Sequence, residues 1–301
     1  MTINTAQIQN LLRPGLATVF GSDPMYPAQW PEIFETHSSD KQVELDVELK
    51  MMGLGAIRAE GAPTAFQDMG QRWVTQYINR YISAGFIITR AAIKDNLYKG
   101  EFPKQAQSLK NSLDQTTEVL GASVLNNGFS AAFPGGDGVA LFSTAHPTDA
   151  ANVANTFTTQ ADLNETSLES ALISVQQFTD AAGLRVMVQP RKMIVGPTLQ
   201  WTANRILNSQ FRTGTANNDI SAVYNTNAVP DGYKVNQFLT DTNAWFLLTN
   251  AQQGFKYYNR EPYETSVFTD FSTDNMMAKA IKRFSFGWSN FRAGFGSSGS
   301  T

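Results

Sequence analysis

The stretch VELDVELK, from Val43 to Lys50, alternates without a break. Val43, Leu45, Val47 and Leu49 fall on one side of an extended chain, and Glu44, Asp46, Glu48 and Lys50 on the other. This is the period-two pattern of a strand with one apolar and one charged face. At about 3.3 Å per residue the stretch spans about 27 Å. Met51, Met52, Gly53 and Gly55 then loosen the chain ahead of Arg58, Glu60 and Pro63. A second β-rich run from Trp73 to Thr89 carries Tyr77, Tyr81, Phe86, Ile87 and Ile88. The two runs are placed to pair as a long hairpin, and the carboxylates on its charged side are expected to face water.

Upstream, Pro14, Gly15, Pro24, Pro27 and Pro31 break both helix and sheet, so the first forty residues read as an extended arm bearing Tyr26, Trp30 and Phe34. Downstream, Glu101 to Asn127 reads as a long helix, with Ala106, Leu109, Leu113, Thr116, Leu120 and Val124 on one stripe. Its other face carries Lys104, Gln107, Ser108, Asn111, Gln115 and Glu118. Pro103 is expected in its first turn and Gly128 as its stop. After the Gly135-Gly136-Asp137-Gly138 turn, Thr166 with Glu169 predicts a capping box for a second helix that stops at Gly183. Leu184 to Val188 and Met193 to Val195 read as two strands joined at Pro190-Arg191-Lys192. Thr198 to Ser209 reads as a third helix, followed by a polar loop over 213–230. The last seventy residues are aromatic β-text, from Trp245 through Tyr257, Tyr258 and Tyr263 to Trp288.

Composition narrows the chemistry. The chain has 301 residues, 42% of them hydrophobic and only 16% charged, with a net charge of −3. That is a folding chain with a largely neutral, polar surface. Zero cysteines exclude disulfides, thiolate metal sites and cysteine nucleophiles, and the two histidines, His37 and His146, give little material for zinc or triad chemistry. No apolar run approaches the ~20 residues that cross a bilayer, so no membrane partner is expected. The glycine turn lacks the Lys-Ser/Thr of a phosphate loop. Lys279, Lys282, Arg283 and Arg292 form a modest basic cluster, expected to serve pairing within the fold rather than tight nucleic-acid binding. No catalytic, cofactor or metal residue is assigned.

Four phrases, in order, carry a resemblance. They are Phe86-Ile87-Ile88-Thr89-Arg90 leading to Asp95-Asn96, Leu141-Phe142-Ser143-Thr144-Ala145-His146-Pro147, Val188 to Pro197, and Ala244-Trp245-Phe246-Leu247-Leu248. The chain resembles the major capsid proteins of tailed bacteriophages, of the HK-97-type fold, and among them the Mu-like major head subunits. The resemblance implies an α+β fold with an N-terminal arm (1–36), an extended β-hairpin E-loop (37–85) and a peripheral domain (86–149) containing a spine helix (101–127). An axial domain (150–250) and return strands with a C-terminal tail (251–301) complete it. Implied partners are copies of the chain in hexamers and pentamers, a scaffolding protein, a portal, a decoration protein, and double-stranded DNA held weakly and without sequence specificity. No charged, helical scaffolding segment precedes the arm and Met1 opens the sequence, so the scaffold is expected to be a separate protein. Localisation is expected in the virion, after assembly in the host bacterial cytoplasm.

The expected contacts between copies are Tyr26, Trp30 and Phe34 on the arm and Glu44, Asp46, Glu48, Lys50, Arg58 and Glu60 on the loop. Lys50 is the one lysine considered for a covalent link between subunits, and no such link is predicted. Two alternatives stand beside the phage head. One is an encapsulin-like compartment. The other is a carbohydrate-active α+β module using Trp201, Trp245, Tyr257 and Tyr258 for stacking, with Asp241 or Glu261 for acid–base work.

Overall fold

The second β-rich run breaks at Asn79. The computed structural model describes residues 15–22, 24–67, 69–95, 98–212 and 219–300. Residues 1–14 of the expected arm and 213–218 of the polar loop lie outside them. The element order is α1 (15–21), β1 (Glu35–Ser38), β2 (Val43–Leu49), β3 (Gln71–Ile78), β4 (Arg80–Ile88), α2 (Arg90–Lys94), α3 (Tyr98–Asn126) and α4 (Glu165–Gln176). It continues with β5 (Pro190–Val195), α5 (Gln200–Asn208), α6 (Ala222–Asn225), β6 (Tyr233–Val235), β7 (Trp245–Thr249), β8 (Phe255–Thr269), β9 (Met276–Trp288) and β10 (Gly294–Ser297).

Strands β2 and β3 form a separate two-stranded antiparallel ribbon, whereas β4 joins the sheet β1-β8-β9-β4. The expected hairpin is therefore only as long as β3, and residues 80–85 belong to the body. Backbone position explains the break: Asn79 is buried, its amide nitrogen donates to Ser39 Oγ (2.8 Å) and the Lys41 carbonyl (2.9 Å), and its own carbonyl accepts from Arg283 Nε (3.2 Å). These bonds fix a corner where the chain leaves one sheet for the other.

Helix α3 starts three residues before the expected position, so Pro103 is its sixth residue and costs the helix one interior hydrogen bond. The buried stripe follows expectation through Ala106, Leu109 and Leu113 and then rotates to Thr117, Glu118, Ala122 and Leu125, leaving Val119 and Leu120 outward. A neighbouring segment causes the shift. The 3-10 turn Trp30–Glu32 docks on this half of the helix, where Glu118 accepts the backbone N–H groups of Gln29 (2.8 Å) and Trp30 (3.1 Å). Gly121 leaves room for it, since a Cβ there would lie 3.2 Å from Trp30 Cβ.

The capping box of α4 is Asn164 with Ser167 rather than Thr166 with Glu169, and the helix ends at Gln176, before Gly183. Leu184–Val188 is not a strand. Gly183, at φ +84°, tightens Asp180–Leu184 into a turn closed by the Asp180 N–H donating to the Leu184 carbonyl (2.7 Å).

The second sheet, β10-β7-β5-β6, is buried on both faces. Trp245, Leu247, Met193 and Val195 join one core with Leu168, Leu172, Val175 and Phe178 of the α4 side. Their alternating neighbours Phe246, Leu248 and Ile194 join a second core with Phe34, Leu125, Phe142, Tyr257 and Trp288. A continuous apolar run such as Trp245-Phe246-Leu247-Leu248 is what a strand with two buried faces requires.

Candidate subunit-contact surface

The ribbon is built by alternation, and the structure sets which side faces in. Its charged side lies on the protein's own body and its apolar side is turned outward, the reverse of the expectation that the carboxylates face water. Asp46 pairs with Lys256 of β8 and accepts from Ser289 Oγ. Glu48 lies 3.6 Å from Arg292 and 3.7 Å from Arg72 of β3, whose other nitrogen reaches Asp149 at 3.4 Å. Glu44 accepts from Ser39 Oγ at 2.8 Å. The cations are buried, with side-chain exposures of 8% for Lys256, 8% for Arg72 and 6% for Arg292. They cannot be left alone, and the acidic face of β2 is their counter-charge.

Outward, Leu45, Leu49, Val74 and Ile78 are between 39% and 61% exposed. They run into a tip that is irregular over residues 51–67 and 69–70, where Met51, Met52, Leu54, Ile57, Phe66 and Met69 are exposed too, Ile57 and Phe66 almost wholly. An exposed apolar surface of this kind on a two-stranded ribbon is a candidate interaction site. These residues are missing from the set expected from sequence. Their signal was the apolar half of the same alternation, and only the positions of Lys256 and Arg292, more than two hundred residues away, decide its direction.

The expected residues therefore separate. Glu44, Asp46 and Glu48 make contacts within the chain. Phe34 is also internal, 4% exposed and 4.8 Å from the Phe286 ring, and Trp30 packs 4.3 Å from the Tyr257 ring. The described part of the arm is not extended throughout and packs on its own chain: residues 15–21 are helical, Leu16 is fully buried and β1 pairs with β8. Tyr26 is 70% exposed, Lys50 lies 3.8 Å from Asp149 in a solvent-facing pair, Arg58 donates to Thr64 Oγ1 at 3.1 Å, and Glu60 sits exposed in the tip turn. The structure thus leaves Tyr26, Lys50, Arg58 and Glu60 accessible.

The alternative chemistry finds no platform. Trp245 and Tyr257 are buried in separate cores while Trp201 stands exposed on α5, so the expected stacking residues do not converge. His146 is fully buried, with Nδ1 2.6 Å from Asp137 Oδ2 and its ring stacked 3.9 Å from that of Phe291. Asn155 beside it donates to the carbonyls of Leu141 (2.7 Å), Phe291 (3.1 Å) and Gly294 (3.2 Å), so this cluster ties the Leu141–His146 loop to the C-terminal segment.

The ionic face yields two predictions. Asp46→Ala strands a buried ammonium and is expected to cost about 3–5 kcal/mol in a denaturant titration, whereas Asp46→Leu with Lys256→Met is expected to be near neutral. Burial holds the Glu48 carboxyl above its ordinary range, against the opposing pull of Arg292 and Arg72. The folded chain then takes up this proton at higher pH than the unfolded chain, so Glu48 makes folding more favourable as pH falls through its raised value. Melting temperatures of the wild type and of Glu48→Gln, measured side by side from pH 7 to pH 4, should differ increasingly in favour of the wild type as Glu48 takes up its proton.

Among the described residues the geometry shows an outward ribbon with an exposed apolar side and no group of three or more candidate metal ligands. A comparison with curated proteins returns no match. Among solved structures, a virus-like particle from Pyrococcus furiosus is similar at TM-score 0.55 and 11% identity, covering 97% of this chain and 99% of that one. The capsid of cyanophage P-SCSP1u is similar at TM-score 0.57 and 10% identity, covering 91% and 89%. The procapsid of bacteriophage JBD30 is similar at TM-score 0.53 and 15% identity, covering 98% and 76%. At these identities the likeness is one of fold. The sequence profile of the phage capsid protein family matches residues 74–296, well over half of the chain, which favours a phage head over a cargo compartment. The chain therefore belongs to the phage capsid protein family, as a structural major capsid protein and not an enzyme.

Proposed function

We propose that copies of this chain close into hexamers and pentamers of an icosahedral head around double-stranded DNA, each copy gripping its neighbours through the outward side of the β2–β3 ribbon and its tip. The observation that carries this reading is the inversion of the ribbon: buried ion pairs hold the acidic side down and present the apolar side to whatever comes next. In this reading residues 37–79 act as the extended loop, α3 as the spine of a peripheral part, and 150–250 as the axial part. Tyr26, Lys50, Arg58 and Glu60 line the contacts alongside Leu45, Leu49, Ile57 and Phe66. A scaffolding protein, a portal and a decoration protein are the further partners, and assembly takes place in the bacterial cytoplasm. A surface this low in charge repels its copies weakly, and modest contacts repeated many times suffice once the first has formed.

Negative-stain microscopy with light scattering on the purified chain, at high concentration and with crowding agent, tests this directly. Shells or capsomers are expected. A compact monomer under all these conditions overturns the reading.

A further inference from the structure

The sheet β1-β8-β9-β4 has two edges, and only one of them is guarded. Beyond the four residues covered by β1, the β8 edge carries Pro262 and two register shifts, at Asn259/Glu261 and Glu261/Glu264. Proline and bulges are devices that keep an edge from pairing with another chain. The opposite edge, β4, has neither. It runs for nine residues in unbroken register with β9, contains no proline, and its one charged residue is Arg80 at the end. Among the described residues, no backbone group of Arg80–Ile88 makes a backbone hydrogen bond outside the β9 ladder. Half of the β4 amides and carbonyls thus point sideways from a regular strand toward no backbone partner.

The strand is also complementary to itself. About Ala84 its side chains are matched in size and face: Ser83 with Gly85, Ile82 with Phe86, Tyr81 with Ile87. Tyr81 and Ile87 are each 59% exposed on the face away from α3, while Ile82 and Phe86 lie on the α3 face. In an antiparallel pairing of β4 with its own copy, centred on Ala84, Tyr81 would stand opposite Ile87 of the second copy and Ile82 opposite Phe86. Both are the aromatic-to-branched-aliphatic pairs that stabilise antiparallel neighbours. The small residues Ser83, Ala84 and Gly85 would occupy the axis, where the backbones approach most closely.

We propose that β4 is a two-fold contact between copies, at which two four-stranded sheets join edge to edge into one of eight strands. The proposal rests on the capsid reading only in requiring that copies meet. It concerns a surface separate from the outward face of the ribbon.

The wild-type chain has no cysteine, so Ala84→Cys introduces the sole thiol. A residue opposite itself across an antiparallel pair has its Cα about 4.5–5.5 Å from its mate, within the roughly 4.4–6.8 Å that a disulfide spans. Mild oxidation of assembled Ala84→Cys shells should convert most subunits to covalent dimers, while Ser266→Cys on the guarded β8 edge should give none. Hydrogen exchange on wild-type protein gives a readout free of substitution: about half of the β4 amides should pass from fast to slow exchange on assembly. Shells that form normally but show no Ala84→Cys dimer overturn the proposal and leave the capsid reading intact, as does amide protection without the cross-link, which assigns the edge to another segment. Failure of the wild type to form any shell overturns the capsid reading instead.

Discussion

Replacing residues 51–69 with an Asn-Gly turn is expected to abolish assembly while leaving the subunit's melting temperature unchanged. The Lys50 N–H donates to the Gly70 carbonyl at 2.7 Å, so the ribbon's ladder already closes at that pair and a two-residue turn fits there. The tip contributes none of the buried hydrophobic residues of the described chain, and its apolar side chains are exposed. In a contact between copies the same side chains gain roughly 1.5–3 kcal/mol each on full burial. Loss of several at every contact removes most of the drive to assemble. Circular dichroism melts and light scattering, run side by side, separate the two effects. Shells of normal yield from the shortened chain would show that the tip has no part in assembly, and a lowered melt would show that it supports its own body.

Leu113→Asp is expected to destroy the subunit itself. Leu113 is 2% exposed and packs with Leu109 and Ala280, with Ile82, Phe86 and Tyr263 around them. Removing a buried leucine costs about 2–5 kcal/mol, and an unpaired buried carboxylate adds several more. Together these approach the whole stability of an ordinary domain, about 5–15 kcal/mol. Asp114 is adjacent and already bonded to the Tyr263 hydroxyl, so a second carboxylate also meets like charge. Expression in the insoluble fraction, or loss of helical dichroism, is the expected outcome. Soluble, helical Leu113→Asp protein would mean that this face of α3 is not core.

The sequence carries these elements unevenly, for physical reasons. Periodicity reports that an element has two faces, and in α3 as far as Leu113 it also reports which one is buried, because only one face is apolar there. In β2 both faces have a claim to burial. Leu45 and Leu49 favour it by area, yet Asp46 and Glu48 obtain it because Lys256 and Arg292 wait beneath, and no local pattern contains that information. The same limit explains Glu118, a polar-face residue by spacing that becomes buried because the distant segment Gln29–Trp30 supplies two N–H donors. Caps failed for a narrower reason: the reciprocal pair is Asn164 with Ser167, whose N3 side chain is a serine and so falls outside the pattern with Glu or Gln at that position. The run Trp245–Leu248 was legible as β-text, but its burial on both faces and its service to two cores at once were not.

That last strand has a mechanical meaning. Since Trp245 and Leu247 lock into one packed interior and Phe246 and Leu248 into the other, these two interiors cannot slip past each other without opening close-packed contacts on both sides of the strand. The subunit is in effect a stiff tile. In the proposed head, where one part must fit both five-sided and six-sided vertices, the bending would then be taken up at the seams, by the ribbon and by whatever joins one tile to the next.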